Sequence, residues 1–301
     1  MARGMSRHPH FLPIVIALCG MATFSLMDGV MKAASTAIGP YGAMFWRTLI
    51  SVVLMFPLWQ RRRRREGTSG LPEWPILKLH LLRSSVAGCM ATLFFYGIVR
   101  TPLAEGIALS FLAPLIALFL AAVLLGERIG SRAIGGSVLA LGGVAVIAAG
   151  KFGGAYHVEA IKGLVAILVS AVLYAWNLVL QRRQAQVAGP EEIAFFQSLI
   201  ICALLSVGAI WLAPWPTPLQ WGELVAAAIL GTSSLMLMGW AYARAEAQVL
   251  VPLEYTAFIW AALVGWVAFA EPVTLRTLAG VVLIVAGCLV ATRRAAQAHP
   301  A

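Results

Sequence analysis

A chain of 301 residues that is 61% hydrophobic and only 11% charged, with a mean hydropathy of +0.88, has more apolar surface than a water-soluble domain buries, and belongs in lipid. Its formal net charge of +10 does not point to nucleic acid, because the basic residues fall in short gaps between long apolar runs, where anionic headgroups are their natural partners. The four cysteines (Cys19, Cys89, Cys202, Cys288) have neither CxxC nor His-rich spacing, so they indicate no disulfide framework and no metal site, and read as core residues.

In chain order, ten segments fit the roughly 20 apolar residues of a spanning helix: 11–32, 41–59, 79–99, 103–125, 132–150, 160–181, 191–213, 222–243, 249–270 and 275–292. The first follows the basic stretch MARGMSRHPH, but it is long and lacks a small-x-small cleavage pattern, so it reads as a retained helix. Ser25, Asp28 and Lys32 share one of its faces; Asp28 either contacts substrate or pairs structurally with Lys32 or with Arg47 of the second segment. QRRRRREGTSG, residues 60–70, reads as a cytoplasmic loop that sets topology. In the third segment His80 reads as an interfacial histidine, and Tyr96 offers an aromatic face to a planar or cationic ligand.

The fourth segment carries Glu105, read as the ion-pair partner of Arg100, and Pro114, which removes a helical hydrogen bond and either bends the helix or turns a carbonyl to a cavity. Gly135, Gly136, Gly142 and Gly143 of the fifth segment, with Ala279, Gly280, Ala286 and Gly287 of the tenth, give small faces that let backbones approach, and mark both helices as scaffold. The sixth segment has a second polar face, Ser170, Tyr174, Asn177 and Gln181. Trp211, Trp215 and Trp221 read as membrane-belt residues. Trp240 lies in the eighth segment, and the ninth holds Glu254 and Tyr255; Glu254 serves a substrate ammonium or a proton, or else pairs with Arg244.

Fifteen Lys and Arg residues fall on the N-terminal side of the membrane and five on the other, so both termini are expected in the cytoplasm. LGERIGSRAIGG (125–136) returns as FAEPVTLRTLAG (269–280), and one offset of 144 also pairs Arg100 with Arg244, Tyr96 with Trp240 and Gly143 with Gly287. Earlier segments agree at a neighbouring offset: Ser25, Asp28 and Lys32 match Tyr174, Asn177 and Gln181, and Gly39-Pro40 matches Gly189-Pro190. The chain therefore reads as an all-α integral membrane protein with ten transmembrane helices in two five-helix repeats, residues 1–150 and 151–301. Five is odd, so the second copy enters from the opposite face, the inverted repeat of secondary transporters. Glu127 and Glu271 then lie at opposite surfaces, each expected to accept backbone N–H groups at the start of the following helix.

FYGIVRTPLAEGIALSFLAPLIALFLAAVLLGERIGSRAIGGSVLALGGVAVI, residues 95–147, resembles the half-repeat of the EamA family in the drug/metabolite transporter superfamily: Pro114, Glu127, Gly136 and Gly143 match its pattern. The second half resembles the companion copy, except that Phe258 stands where Pro114 does in the first. The resemblance implies ten helices, cytoplasmic termini in a bacterial inner membrane and efflux of small metabolites. Within the superfamily, aromatic-rich faces make the chain similar to exporters of aromatic and other amino acids.

The two polar faces call for a cavity between the copies, where a small amphipathic metabolite binds near mid-membrane. Its expected contacts are Asp28, Tyr96, Tyr174, Asn177, Trp240, Glu254 and Tyr255, with aromatic or large neutral amino acids the leading substrates; organic-cation or drug efflux and nucleobase export are the alternatives. No HExxH, GxSxG or P-loop is present, which argues against an enzyme and against ATP as the driving force. The expected partners are the substrate and membrane lipid, with no cofactor, no metal and no nucleic acid, the protein acting as a monomer or homodimer.

Overall fold

The structure, a computed structural model, describes residues 11–67, 71–125, 131–152, 158–242, 244, 250 and 253–292. The described elements are all helical: α1 (Phe11–Glu66), α2 (Trp74–Ile98), α3 (Leu103–Ser110), α4 (Ala113–Leu125), α5 (Ser131–Phe152), α6 (Val158–Gln184), α7 (Pro190–Leu212), α8 (Pro218–Tyr242), α9 (Ala257–Phe269) and α10 (Leu275–Thr292). Among the described residues, five helical runs are long and apolar enough to cross a membrane, and shorter apolar helices pack among them. The molecule is an all-α, multi-span membrane bundle.

The first two predicted segments form one run, α1, bent at a single residue. Gly39 has φ 79° and ψ 151°, a backbone state open to glycine, and Pro40 starts the second arm where its missing N–H costs nothing. The second arm continues helically through the arginine run to Glu66, which corrects the reading of residues 60–66 as loop. Arginine is a good helix former, Arg63 lies 5.2 Å over the Trp59 ring one turn back, and Arg62 pairs with Glu191 of α7. Pro190 likewise opens α7 directly after Gly189.

The fourth predicted segment is broken into α3 and α4. Phe111 and Leu112 donate to carbonyls three residues back (3.2 Å each), a tightened turn just ahead of Pro114. The same tightening recurs 144 residues on, where Thr256 donates to Leu253 (3.0 Å) and Phe258 to Tyr255 (3.3 Å). Phe258 replaces the proline there, so the break does not depend on Pro114 alone. The two break residues, Phe111 and Tyr255, meet edge to face at 5.0 Å.

Helix packing is repeat-like. The first arm of α1 lies on α8, where Ser234 donates to the Gly20 carbonyl (2.9 Å), and α2 lies on α6 in the corresponding way. The second arm packs on α7, with the Tyr41 hydroxyl donating to the Leu205 carbonyl at 2.6 Å. The helices α5 and α10 cross antiparallel: Gly143 faces the Gly280 carbonyl, and Gly287 faces that of Gly136. The 144 offset carries each of these contacts onto the other. Gly135 and Gly142, expected in the same interface, face open space instead.

Cys202 and Cys288 are buried as expected, whereas Cys19 and Cys89 are exposed, so only one pair belongs to the core. Both exposed thiols occupy outward faces of apolar helices, where a small apolar side chain suits lipid as well as protein.

Candidate functional site

A cavity of about 220 Å³ opens among both arms of α1 and α2, α3, α6, α7 and α8. Its charged lining groups are Asp28 on the first arm of α1 and Arg47 on the second; its aromatic surface comes from Phe24, Phe94, Phe95 and Tyr174. Asp28 is 1% exposed, its Oδ2 has no hydrogen-bond partner, and neither does Arg47 Nε. Each feels the other's charge, yet among the described residues neither is in an ion pair. Four lining hydroxyls are committed to main-chain carbonyls: Thr48 to Met44 (2.8 Å), Ser51 to Arg47 (3.0 Å), Ser110 to Gly106 (3.0 Å) and Ser170 to Met90 of α2 (2.8 Å).

Of the seven residues singled out in the sequence, Asp28 and Tyr174 line this cavity together. Asn177 is buried one turn beyond Tyr174, where its Oδ1 accepts from Arg83 Nε at 3.2 Å. Tyr96 carries the Arg100 guanidinium 3.6 Å from its ring centre, and Trp240 carries that of Arg244 at 4.1 Å, so two aromatics 144 residues apart each hold the arginine four residues on. Tyr255 packs on Phe111 at the helix break, and Glu254 acts electrostatically on both Tyr174 and Tyr255.

Polar networks lie toward the ends of the bundle. At the end holding Gly39, Lys32 pairs with Glu271 and donates to the Thr101 carbonyl (2.8 Å), while Glu271 Oε2 accepts the Leu103 N–H at 2.8 Å. Glu271 therefore accepts a backbone N–H as predicted, but from the start of α3 rather than from the helix that follows it. Glu127 lies outside the described residues. Arg100 pairs with Glu159 at 2.8 Å, and Glu105 accepts from Thr277 at 3.2 Å. At the opposite end buried His80 bridges Gln184 Nε2 (2.6 Å) and Glu192 Oε1 (3.2 Å), and Gln184 accepts from Arg83 Nη1 at 2.7 Å. His80 is thus interior, not interfacial: it is fully buried and stacked on Phe196 at 4.8 Å.

Sequence reasoning missed Arg47 as a cavity residue and Arg83 as the centre of a buried network. The first had a legible signal: Arg47, Thr48, Ser51 and Met55 recur on one face of an apolar helix.

A multi-span helical bundle with a cavity among its helices and polar networks toward its ends has the architecture of a small-molecule carrier. The chain belongs to the EamA-like transporter family, which it matches over residues 11–149 and 161–293. It is 26% identical over 285 residues to the pseudopaline exporter CntI of Pseudomonas aeruginosa, covering 93% of this chain and 95% of that one. It is 30% identical over 227 residues to the aromatic amino acid exporter YddG of Ancylobacter novellus, covering 73% and 76% of the two chains. A crystal structure of a protein 24% identical in sequence superimposes with a TM-score of 0.63, over 96% of this chain and 99% of that chain. The protein is a membrane transporter of small molecules.

Proposed function

We propose that the protein exports aromatic or other amino acids across the bacterial inner membrane by alternating access. In this reading residues 1–150 and 151–301 are two inverted five-helix halves and both termini are cytoplasmic. The observation that carries it is the cavity, which combines a buried carboxylate, a guanidinium and aromatic walls. At about 220 Å³ it is smaller than the roughly 300–1,000 Å³ of drug-sized sites, which favours a single amino acid over a bulky drug. Of the proposed contacts, Asp28 and Tyr174 meet the substrate directly. Asn177, Tyr96, Trp240, Glu254 and Tyr255 lie outside the cavity's lining.

Counterflow into proteoliposomes, screened with amino acids, nucleobases and organic cations, tests the reading. Aromatic amino acids are expected to exchange, and Tyr174→Ala to weaken their apparent affinity about tenfold, the equivalent of about 1.4 kcal/mol of lost aromatic contact. Exchange confined to organic cations replaces this reading with drug efflux. For the topology, reporter fusions after Lys151 and after Arg294 are expected on opposite sides, the first outside; a same-side result removes the inverted repeat.

A further inference from the structure

We propose that Asp28 and Arg47 form a two-point clamp for a zwitterion, the Asp28 carboxylate receiving the substrate ammonium and the Arg47 guanidinium its carboxylate. The inference rests on the amino-acid reading above and assigns the chemistry of recognition within it.

Among the described residues, Asp28 Oδ2 and Arg47 Nε are the two fully buried side-chain polar atoms on the cavity wall that lack a hydrogen-bond partner. Buried polar atoms are almost always satisfied, so two orphans of opposite character on residues that line one cavity mark places for a ligand. Four neighbouring hydroxyls, those of Thr48, Ser51, Ser110 and Ser170, are already spent on main-chain carbonyls. Arg47 extends toward α8 beside Gly231, and the one side-chain contact of its Nη2 is the weakly accepting Met44 sulfur at 3.5 Å.

Charge balance points the same way. An isolated charge inside a bilayer is costly, and a carrier crosses its cycle both loaded and empty. With one acidic and one basic group on the wall, the cavity carries no net charge when both are ionised; a zwitterion keeps that balance and gives each group a partner. A monocation or a monoanion leaves one wall charge unmatched, so the clamp selects for both ends of the substrate at once. Phe24, Phe94 and Tyr174 then take the apolar side chain.

The test is binding to purified protein in detergent, using phenylalanine, phenethylamine (ammonium only) and 3-phenylpropanoate (carboxylate only). The unaltered protein is expected to prefer phenylalanine over either fragment by about tenfold or more, the worth of one charged hydrogen bond. Arg47→Gln should shift the preference toward phenethylamine and Asp28→Asn toward 3-phenylpropanoate, each by about tenfold. The neutral double variant Asp28→Asn/Arg47→Gln, which leaves no lone charge to unfold the protein, should lose the preference for the zwitterion altogether. Retention of the zwitterion preference in the double variant, or equal weakening of all three ligands in the single ones, refutes the clamp and leaves the two groups as a pair that merely neutralises itself. No binding or exchange of any amino acid by the unaltered protein refutes the amino-acid reading itself, a result separable from loss of the clamp alone.

Discussion

Gly143→Ala is expected to lower the midpoint of thermal unfolding sharply, whereas Gly142→Ala, one residue earlier, leaves it unchanged or raises it. A Cβ at position 143 falls 2.5 Å from the Gly280 carbonyl oxygen and 2.9 Å from the Ile284 nitrogen, so the backbones of α5 and α10 must separate. Between membrane helices there is no hydrophobic force to restore the contact, because lipid tails are as apolar as the helix faces; association depends on the closeness that the small residues allow. Overpacking of this kind costs about 1–3 kcal/mol, and here the obstacle is backbone, which yields less than a side chain. At Gly142 nothing lies within 4 Å of the added methyl. That substitution keeps only the helix-propensity gain of alanine over glycine, about 1 kcal/mol. Gly287→Ala, whose added methyl falls on the Gly136 carbonyl and on Ala140, should repeat the loss seen at Gly143. Equal midpoints for Gly142→Ala and Gly143→Ala would show that the crossing of α5 and α10 does not hold the bundle together.

Much of this architecture is legible in the sequence because lipid imposes a simple rule: every spanning segment must be a long apolar helix. Helix ends fall close to the predicted ones wherever a proline or glycine marks them, as at Gly189-Pro190 and Gly39-Pro40. The small-residue faces of α5 and α10 are legible as a pair, but the sequence does not tell Gly142 from Gly143, because facing depends on how the partner helix crosses. The arginine run misled for a definite reason. Charge density suggests loop, yet Arg62 and Arg63 each find a partner on the helical surface, in Glu191 and Trp59.

The site was legible in part. Asp28 and Tyr174 belong to the two matched polar faces, though not to matched positions of them, and do line one cavity. Asn177 follows the same helical period, but a neighbouring arginine, Arg83 of α2, takes up its oxygen. Arg83 and Asn177 are 94 residues apart, and no local pattern announces the contact. The aromatic residues Tyr96 and Trp240 were recognised as equivalent, and their equivalence is expressed in the arginines stacked on them one turn along.

Glu271→Gln is expected to cost about 1.5–3 kcal/mol of stability, the usual worth of a hydrogen bond to a charged group, because the pair is part-buried, with Glu271 20% exposed. Lys32 is 5% exposed and its ammonium lies 5.1 Å from the centre of the Phe269 ring, so its charge is poorly hydrated. Glu271 supplies it with a carboxylate while its second oxygen accepts the Leu103 N–H, which joins the first arm of α1, the start of α3 and the turn between α9 and α10. A glutamine has nearly the same shape but only one acceptor oxygen. If that oxygen keeps the Leu103 N–H, the amide NH₂ points donors at the Lys32 ammonium; if it turns to Lys32, the first turn of α3 loses its acceptor. Lys32→Met should be comparably harmful, because it leaves the part-buried Glu271 carboxylate without its cation. The double variant Lys32→Met/Glu271→Gln removes both charges and should recover a large part of either loss, a coupling that thermal unfolding of all four proteins measures directly. Strictly additive losses would mean that the two residues act through other partners. Residual exchange in Glu271→Gln is expected to keep its substrate affinity, since the carboxylate joins helix ends and does not line the cavity; a fully stable variant with altered affinity would instead move Glu271 into the transport site.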